Sequence, residues 1–227
     1  MLKKGEITTA QIVTIIILIT SFLVILFFIY KLNPKEETTK NLCYNSVVLK
    51  SNSPIKSQIS LDCHTNYICV SDIGSCKDAD SGAVVVKSSD SVKSVANEIA
   101  NCWGEFGEGK LDFIGYEGFK TRSCGICSKI YFSDKLDGNF VSTFSSNLAD
   151  YMDKNKVSGK EMNYISYTGI NVGDVKKIDL TSDKKLIVFY TISKRSKPFS
   201  VFEPTVNLIE SSKINDAQCD DFSLTLA

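Results

Sequence analysis

The chain has one histidine, His64, among 227 residues, and that scarcity removes most imidazole chemistry, whether as a general base or as a set of metal ligands. It also has no surplus of charge, with 26 basic and 26 acidic side chains. Past residue 40 the count is 21 basic against 23 acidic, so the main body has no basic footprint for a nucleic-acid partner. No internal repeat and no low-complexity tract is present, which excludes solenoids and arrays. Two further absences are local. There is no charged side chain between residues 7 and 30, and no cysteine before Cys43.

The uncharged stretch runs from Ile7 to Tyr30 and is almost continuously apolar from Ile12 onward. As a helix it would cover about 36 Å, more than the ~30 Å hydrocarbon core of a bilayer, so it predicts a single membrane-spanning helix with the bilayer as its partner. The chain then divides into four segments: a short cytoplasmic amino terminus (1–6), the membrane helix (7–30), a polar tether (31–40) containing Pro34, and a folded body (41–227) large enough to bury its own core. Lys3 and Lys4 on one flank balance Lys31, Lys35 and Lys40 on the other, so flanking charge alone does not orient the helix.

The eight cysteines supply the orientation. Cys43, Cys63, Cys69, Cys76, Cys102, Cys124, Cys127 and Cys219 all lie on the same side of the apolar stretch. An even number there points to disulfides in an oxidising compartment and places the body outside the cytoplasm, as the extracytoplasmic domain of a single-pass cell-membrane protein. Zinc would want paired short spacings, and only Cys124 and Cys127 have the Cys-x-x-Cys spacing. No metal ligand set and no cofactor is expected.

The amino terminus, MetLeuLysLysGlyGluIleThrThrAlaGlnIleVal, resembles the leader of type IV pilins and of archaeal pilin-like proteins. That resemblance implies removal of a basic leader after Gly5, with Glu6 as the first mature residue, and a hydrophobic helix that packs into a filament core. The glutamate usual at the fifth mature position of pilins is Ala10 in this chain.

Along the body, Cys43–Lys50 and Ile55–Cys63 flank AsnSerPro and read as a hairpin that would set Cys43 opposite Cys63. Cys69 and Cys76 enclose a turn-like insert suited to a local disulfide. Residues 83–87 read as a short buried strand. Val92, Val95, Ala96, Ile99, Ala100 and Trp103 recur at helical spacing from about residue 90 to 103, with Ser89 or Asp90 as the amino-terminal cap. Residues 126–132 read as a strand, with Ile126, Ser128, Ile130 and Phe132 on one face. A second amphipathic helix covers 141–154, with Asn139 as its cap. Lys177–Leu180 and Leu186–Ile192 read as an antiparallel hairpin whose second strand is central. Pro198 and Pro204 interrupt the next segment, and Phe222, Leu224 and Leu226 alternate at the end. The pattern is α+β, with mostly antiparallel sheet and about two helices in the disulfide-stabilised body.

Three constellations could carry chemistry. GlyGluPheGlyGluGlyLysLeu, residues 104 to 111, has the glycine and lysine spacing of a phosphate loop, but Leu111 stands where a magnesium-binding hydroxyl is required, so no nucleotide is expected. Its bland alternative is a tight turn stapled to the core by Cys102 and Trp103. Cys124-Gly-Ile-Cys127 looks like the thioredoxin motif with Ile for Pro, yet it runs into a strand and not into the helix amino terminus that would activate a thiolate. Two separate half-cystines, one of them bonded to Cys102, is the preferred reading. His64 beside Cys63 is the third, and an ordinary surface histidine is the preferred reading there. No catalytic residue is assigned.

CysTrpGlyGluPheGlyGluGlyLysLeuAsp and CysGlyIleCysSerLysIleTyrPhe are similar to segments of uncharacterised single-pass membrane proteins of small-genome archaea. That resemblance implies a compartment and a cysteine arrangement, and no activity. The function expected is a membrane-anchored extracytoplasmic structural or interaction module with a protein partner or a second copy at the cell surface. The alternatives are a pilin-like filament subunit and a thiol-disulfide oxidoreductase using Cys124 and Cys127.

Overall fold

The computed structural model describes residues 9–32, 35–77, 79, 82–114, 122–194 and 202–219. It divides into two units, Met1–Thr38 and Thr39–Ala227.

In the first unit, α1 spans Thr9–Leu32. Thr20 and Ser21 turn their hydroxyls back to the carbonyls of Ile16 and Ile17 at 2.7 to 3.0 Å, which satisfies the polar atoms that interrupt the apolar run. Membrane spanning by 7–30, and with it the single-pass cell-membrane location, is overturned: among the described residues no helix is long and apolar enough to cross a membrane. Gly5 and Glu6 lie outside the described residues.

In the second unit the sheet order is β2-β1-β3-β4-β5, built from β1 (Asn66–Val70), β2 (Val84–Val86), β3 (Arg122–Phe132), β4 (Lys185–Lys194) and β5 (Phe202–Glu210). β1 pairs parallel with both β2 and β3, while β3, β4 and β5 form an antiparallel meander. The sheet is therefore mixed, with β1 and β2 added in parallel beside the antiparallel strands. Antiparallel neighbours need only a turn, but the chain returns to β3 through a helix, a right-sized crossover that makes the strands parallel. That helix is α3 (Ser88–Glu105), and α4 (Gly138–Lys154) comes after β3. Lys87 and Asp137 occupy the capping positions of these two helices, and neither gives a side-chain cap.

α3 and α4 cover one face of the sheet. Val95, Ala96 and Ile99 of α3 and Phe144, Leu148 and Met152 of α4 are buried against Ile130, Leu186, Val188, Tyr190 and Ile192. The opposite face carries Cys124, Ile187 and Phe189, closed by a 3-10 turn, Ser211–Ala217. β4 thus buries both its faces, which explains its unbroken apolar run. Two short helices, α5 (Tyr164–Thr168) and α6 (Val172–Lys176), are capped by the side chains of Asn163 and Asn171.

Four local expectations change. Cys43–Lys50 lies in α2 (Lys35–Asn52) and not in a hairpin. Its Cys43 and Val47, one helical turn apart, are both buried, and that packing outweighs the β-leaning composition. Lys177–Leu180 is no strand, and the partner of β4 is β5, where Pro204 pairs in register with Ile192. An outer strand tolerates a proline because its second edge makes no ladder bonds. β2 is exposed, with Val84 and Val85 about half accessible, because it is the outer strand of the other edge. Finally, Ile126 faces away from Ser128, Ile130 and Phe132, because the register shifts at Cys127. Phe222, Leu224 and Leu226 lie outside the described residues.

Candidate functional site

All eight cysteines are bonded: Cys43 to Cys63, Cys69 to Cys76, Cys102 to Cys127 and Cys124 to Cys219. The β3 bulge governs the last two. Ile126 pairs with Phe189 and Ser128 with Val188, which leaves Cys127 without a register partner. The extra residue turns Cys127 toward the helices, where Cys102 of α3 meets it, while Cys124 looks to the other face and meets Cys219. The two cysteines of the CxxC motif are thereby held apart by the thickness of the sheet. His64 has an exposed neighbour, Asp62, at 3.8 Å, and Cys63 beside it is bonded to Cys43.

The glycine-rich loop ends α3. Gly107 N–H donates to the Gly104 carbonyl and Glu108 N–H to that of Trp103, both at 3.0 Å, which is the Schellman pattern of a helix carboxyl terminus. Gly107, Glu108 and Gly109 then take left-handed φ of 79°, 55° and 70° in succession. Glu108 is held in this costly conformation by its carboxylate, which accepts from Lys110 at 2.7 Å, Lys160 at 2.6 Å and Tyr167 at 2.9 Å. Those bonds bring its pKa down to about 2, Lys110 contributing most and Lys160 next. The loop amides thus face the chain's own carbonyls, and Lys110 faces Glu108. Gly109 admits a close approach: a Cβ there would stand 2.6 Å from the Trp103 ring and 2.9 Å from Pro204.

Beside this loop lies a cleft of about 260 Å3, bounded by α2, the last turn of α3, residues 157–160 and Tyr167 of α5. Glu105, the last helical residue of α3, lines it. Burial pushes the Glu105 carboxyl up to about 7; Glu98, two turns earlier, adds repulsion, and Lys40 across the cleft opposes both. The negative end of the α3 dipole acts in the same sense as burial. Glu105 makes no hydrogen bond or ion pair among the described residues. Glu98, by contrast, is engaged: it accepts from the Ser128 hydroxyl, from Asn66 at 3.0 Å and weakly from Asn101 at 3.5 Å. Asn101 in turn lines the cleft.

A second depression, about 320 Å3, lies over the outer face of β4 and β5. Its polar groups answer one another. Thr191 and Thr205 share a hydrogen bond of 2.6 Å, Asn207 donates to Thr205 at 3.0 Å, Arg122 donates to the Ala217 carbonyl at 2.8 Å, and Lys213 pairs with Glu210 at 2.6 Å.

The sequence brings the cysteines and the glycine loop into view; it does not single out Glu98, Asn101 or Glu105. A signal is present, since these three polar residues recur at steps of three and four along α3, beside its apolar face. Fold and site together define a disulfide-bonded α+β domain with one polar cleft at the end of its crossover helix. No family model, no curated protein and no solved structure matches the chain.

Proposed function

We propose that the chain is a disulfide-stabilised structural or interaction module of an oxidising, extracytoplasmic compartment and not a redox enzyme. The observation that carries this reading is the separation of Cys124 from Cys127, each committed to a different partner on a different face of the sheet. A dithiol oxidoreductase needs those two sulfurs to bond to each other and one of them to be an accessible thiolate. Four bonds in a body of ordinary size also fit the usage of secreted domains. The test is alkylation of the native protein with iodoacetamide, then peptide mapping without reductant. Eight unmodified cysteines, with Cys102 linked to Cys127 and Cys124 to Cys219, and no acceleration of insulin reduction, are the expected results. A Cys124 to Cys127 peptide, or insulin turnover, overturns the reading.

One observation favours a filament subunit as a second reading. Ile12, Ile16, Phe22 and Leu26 of α1 are each 44 to 61% exposed, so apolar side chains lie open on several sides of the helix. A helix apolar all round is stable when enclosed, and enclosure by the same helix of further copies is what a filament core provides. Amino-terminal sequencing of the mature protein tests it: a start at Glu6 supports the subunit reading, and an intact Met1 or any other start removes it.

A further inference from the structure

In the cleft at the carboxyl end of α3, Lys160 and Tyr167 are engaged by Glu108, but other lining polar side chains converge without answering one another. The side chains of Asn41, Tyr44 and Ser158 line it and have no hydrogen-bond partner among the described residues, nor has Glu105. Asn101 gives one amide hydrogen weakly to Glu98 and keeps its oxygen and its second hydrogen. This contrasts with the depression on the outer sheet face, where neighbouring side chains consume the donors and acceptors.

Charge narrows the ligand. Lys40 and Lys160 stand on one side of the balance and Glu105 and Glu108 on the other, with Lys160 already paired to Glu108. A cation entering the cleft meets Lys40, and an anion meets Glu105 and the negative end of the α3 dipole. A neutral ligand rich in hydroxyls meets neither penalty. It can use the amides of Asn41 and Asn101, each offering donor and acceptor, and the Tyr44 ring, which is 44% exposed, as an apolar platform. Near neutral pH the Glu105 carboxyl is divided between its acid and its carboxylate forms, since burial brings it to about 7, so it too can donate or accept. The volume of about 260 Å3 falls just under the roughly 300 to 1,000 Å3 of pockets for drug-sized ligands, which suits one sugar ring and excludes an extended chain.

We infer that this cleft is a binding subsite for a single neutral sugar ring, held by Asn41, Asn101 and Glu105 and backed by Tyr44. The site deepens the interaction-module function and rests on it; thiol mapping and sugar titration fail separately. The geometry implies weak, millimolar binding, because the cleft is open and its side chains are not locked by second contacts.

The experiment is a titration of the full-length 15N-labelled protein with methyl glucoside, methyl mannoside and N-acetylglucosamine, monitored in amide correlation spectra. With at least one of the three, saturable shifts are expected at the side-chain amides of Asn41 and Asn101 and the backbone amides of Gly104 and Ser158. Asn101→Ala should weaken binding about tenfold, the loss of one good polar contact. Glu105→Gln should change it by less than about threefold, because an amide still offers one donor and one acceptor. If Asn101→Ala fails to fold, Tyr44→Ala, a change at an exposed position, should also weaken binding. The inference is overturned by a dispersed spectrum that none of the three sugars perturbs, or by unchanged affinity in Asn101→Ala and Tyr44→Ala. Tetramethylammonium or inorganic phosphate shifting the same amides at lower concentration than the sugars also overturns it.

Discussion

Cys124 and Cys127, three residues apart in one strand, face opposite sides of the sheet and reach partners 95 and 25 residues away, Cys219 and Cys102. The bulge at Cys127 makes this arrangement and ties the helix layer and the outer layer to the same strand.

The bonds should differ in both lability and weight. Cys76 and Cys219 are half-buried, whereas both sulfurs of Cys43–Cys63 and of Cys102–Cys127 belong to residues at 4% exposure or less. Thiolate attack needs access, so limited dithiothreitol should open Cys69–Cys76 and Cys124–Cys219 first. Partial reduction with alkylation and mass spectrometry reads the order. Weight tracks loop length: by the chain-entropy relation, replacing the Cys69 and Cys76 pair by alanine should cost about 2 kcal/mol, and the Cys124 and Cys219 pair about 4 to 5 kcal/mol. Urea midpoints would show the opposite ranking if native strain governed the effect.

Two left-handed glycines separate strain from collision. Gly109 and Gly159 have φ of 70° and 73°, but a Cβ meets Trp103 and Pro204 at Gly109 and nothing within 4 Å at Gly159. Gly159→Ala should therefore cost about 1 kcal/mol, the penalty of the backbone region alone. Gly109→Ala should cost about 3 kcal/mol, because the loop must also lift from the aromatic core. Equal melting temperatures for the two variants would contradict this placement of the loop.

Glu105 should make the folded state lose stability as pH rises. Its carboxyl titrates near 4.5 when unperturbed and about 7 in the fold, chiefly through burial. Between those values the native state binds more protons than the unfolded chain, so the contribution is complete below about pH 4.5 and is lost by about pH 7. Glu105→Gln removes the dependence and should stabilise the protein at pH 8 by up to about 3 kcal/mol, roughly two and a half pKa units at about 1.36 kcal/mol each. Chemical denaturation at pH 5 and pH 8 tests the sign: a variant no more stable than the parent at pH 8 is the adverse result.

Tyr190 lies at the centre of an aromatic cluster, stacked on Phe106 at 4.5 Å and within 6.1 Å of Phe113 and Trp103. Its ring is fully buried and its hydroxyl finds no partner among the described residues. Burial alone drives its pKa upward. Deleting an orphaned hydroxyl relieves a desolvation cost, so Tyr190→Phe should be neutral or stabilising by about 1 kcal/mol, while Tyr190→Ala should cost about 3 to 5 kcal/mol. A clear loss of stability in the phenylalanine variant, read from thermal unfolding, would mean the hydroxyl is engaged.

The features legible in the sequence are local and periodic. α3 and α4 show themselves in apolar side chains at steps of three and four, and β4 in an apolar run too short for a helix, because in each case burial of one residue is coupled to its near neighbours along the chain. Cys69–Cys76 follows from its short spacing; Cys43–Cys63 forms although the hairpin expected to bring the two together is a helix, and the sequence offers Cys102 either Cys124 or Cys127 without choosing. α2 is masked because ValValLeu leans toward strand, although Cys43 and Val47 carry the helical signal. The apolar stretch over 7–30 suggests a membrane span, and among the described residues no helix is long and apolar enough to cross a membrane.

The sequence by itself determined the α+β class, two of the three long helices of the body (α3 and α4, not α2), the central strand and the supply of cysteines, all properties of residues close together in the chain. Only the tertiary structure decided that β1, β2 and β3 run parallel, that Pro204 sits in an outer strand, and that one bulge sends Cys127 and Cys124 to opposite layers. It also brought Glu105 to a cleft whose other walls lie roughly 60 residues away on either side, at Lys40 and Tyr167. Such pairings depend on which surfaces are left to be covered once local elements have formed, and that is a property of the whole chain.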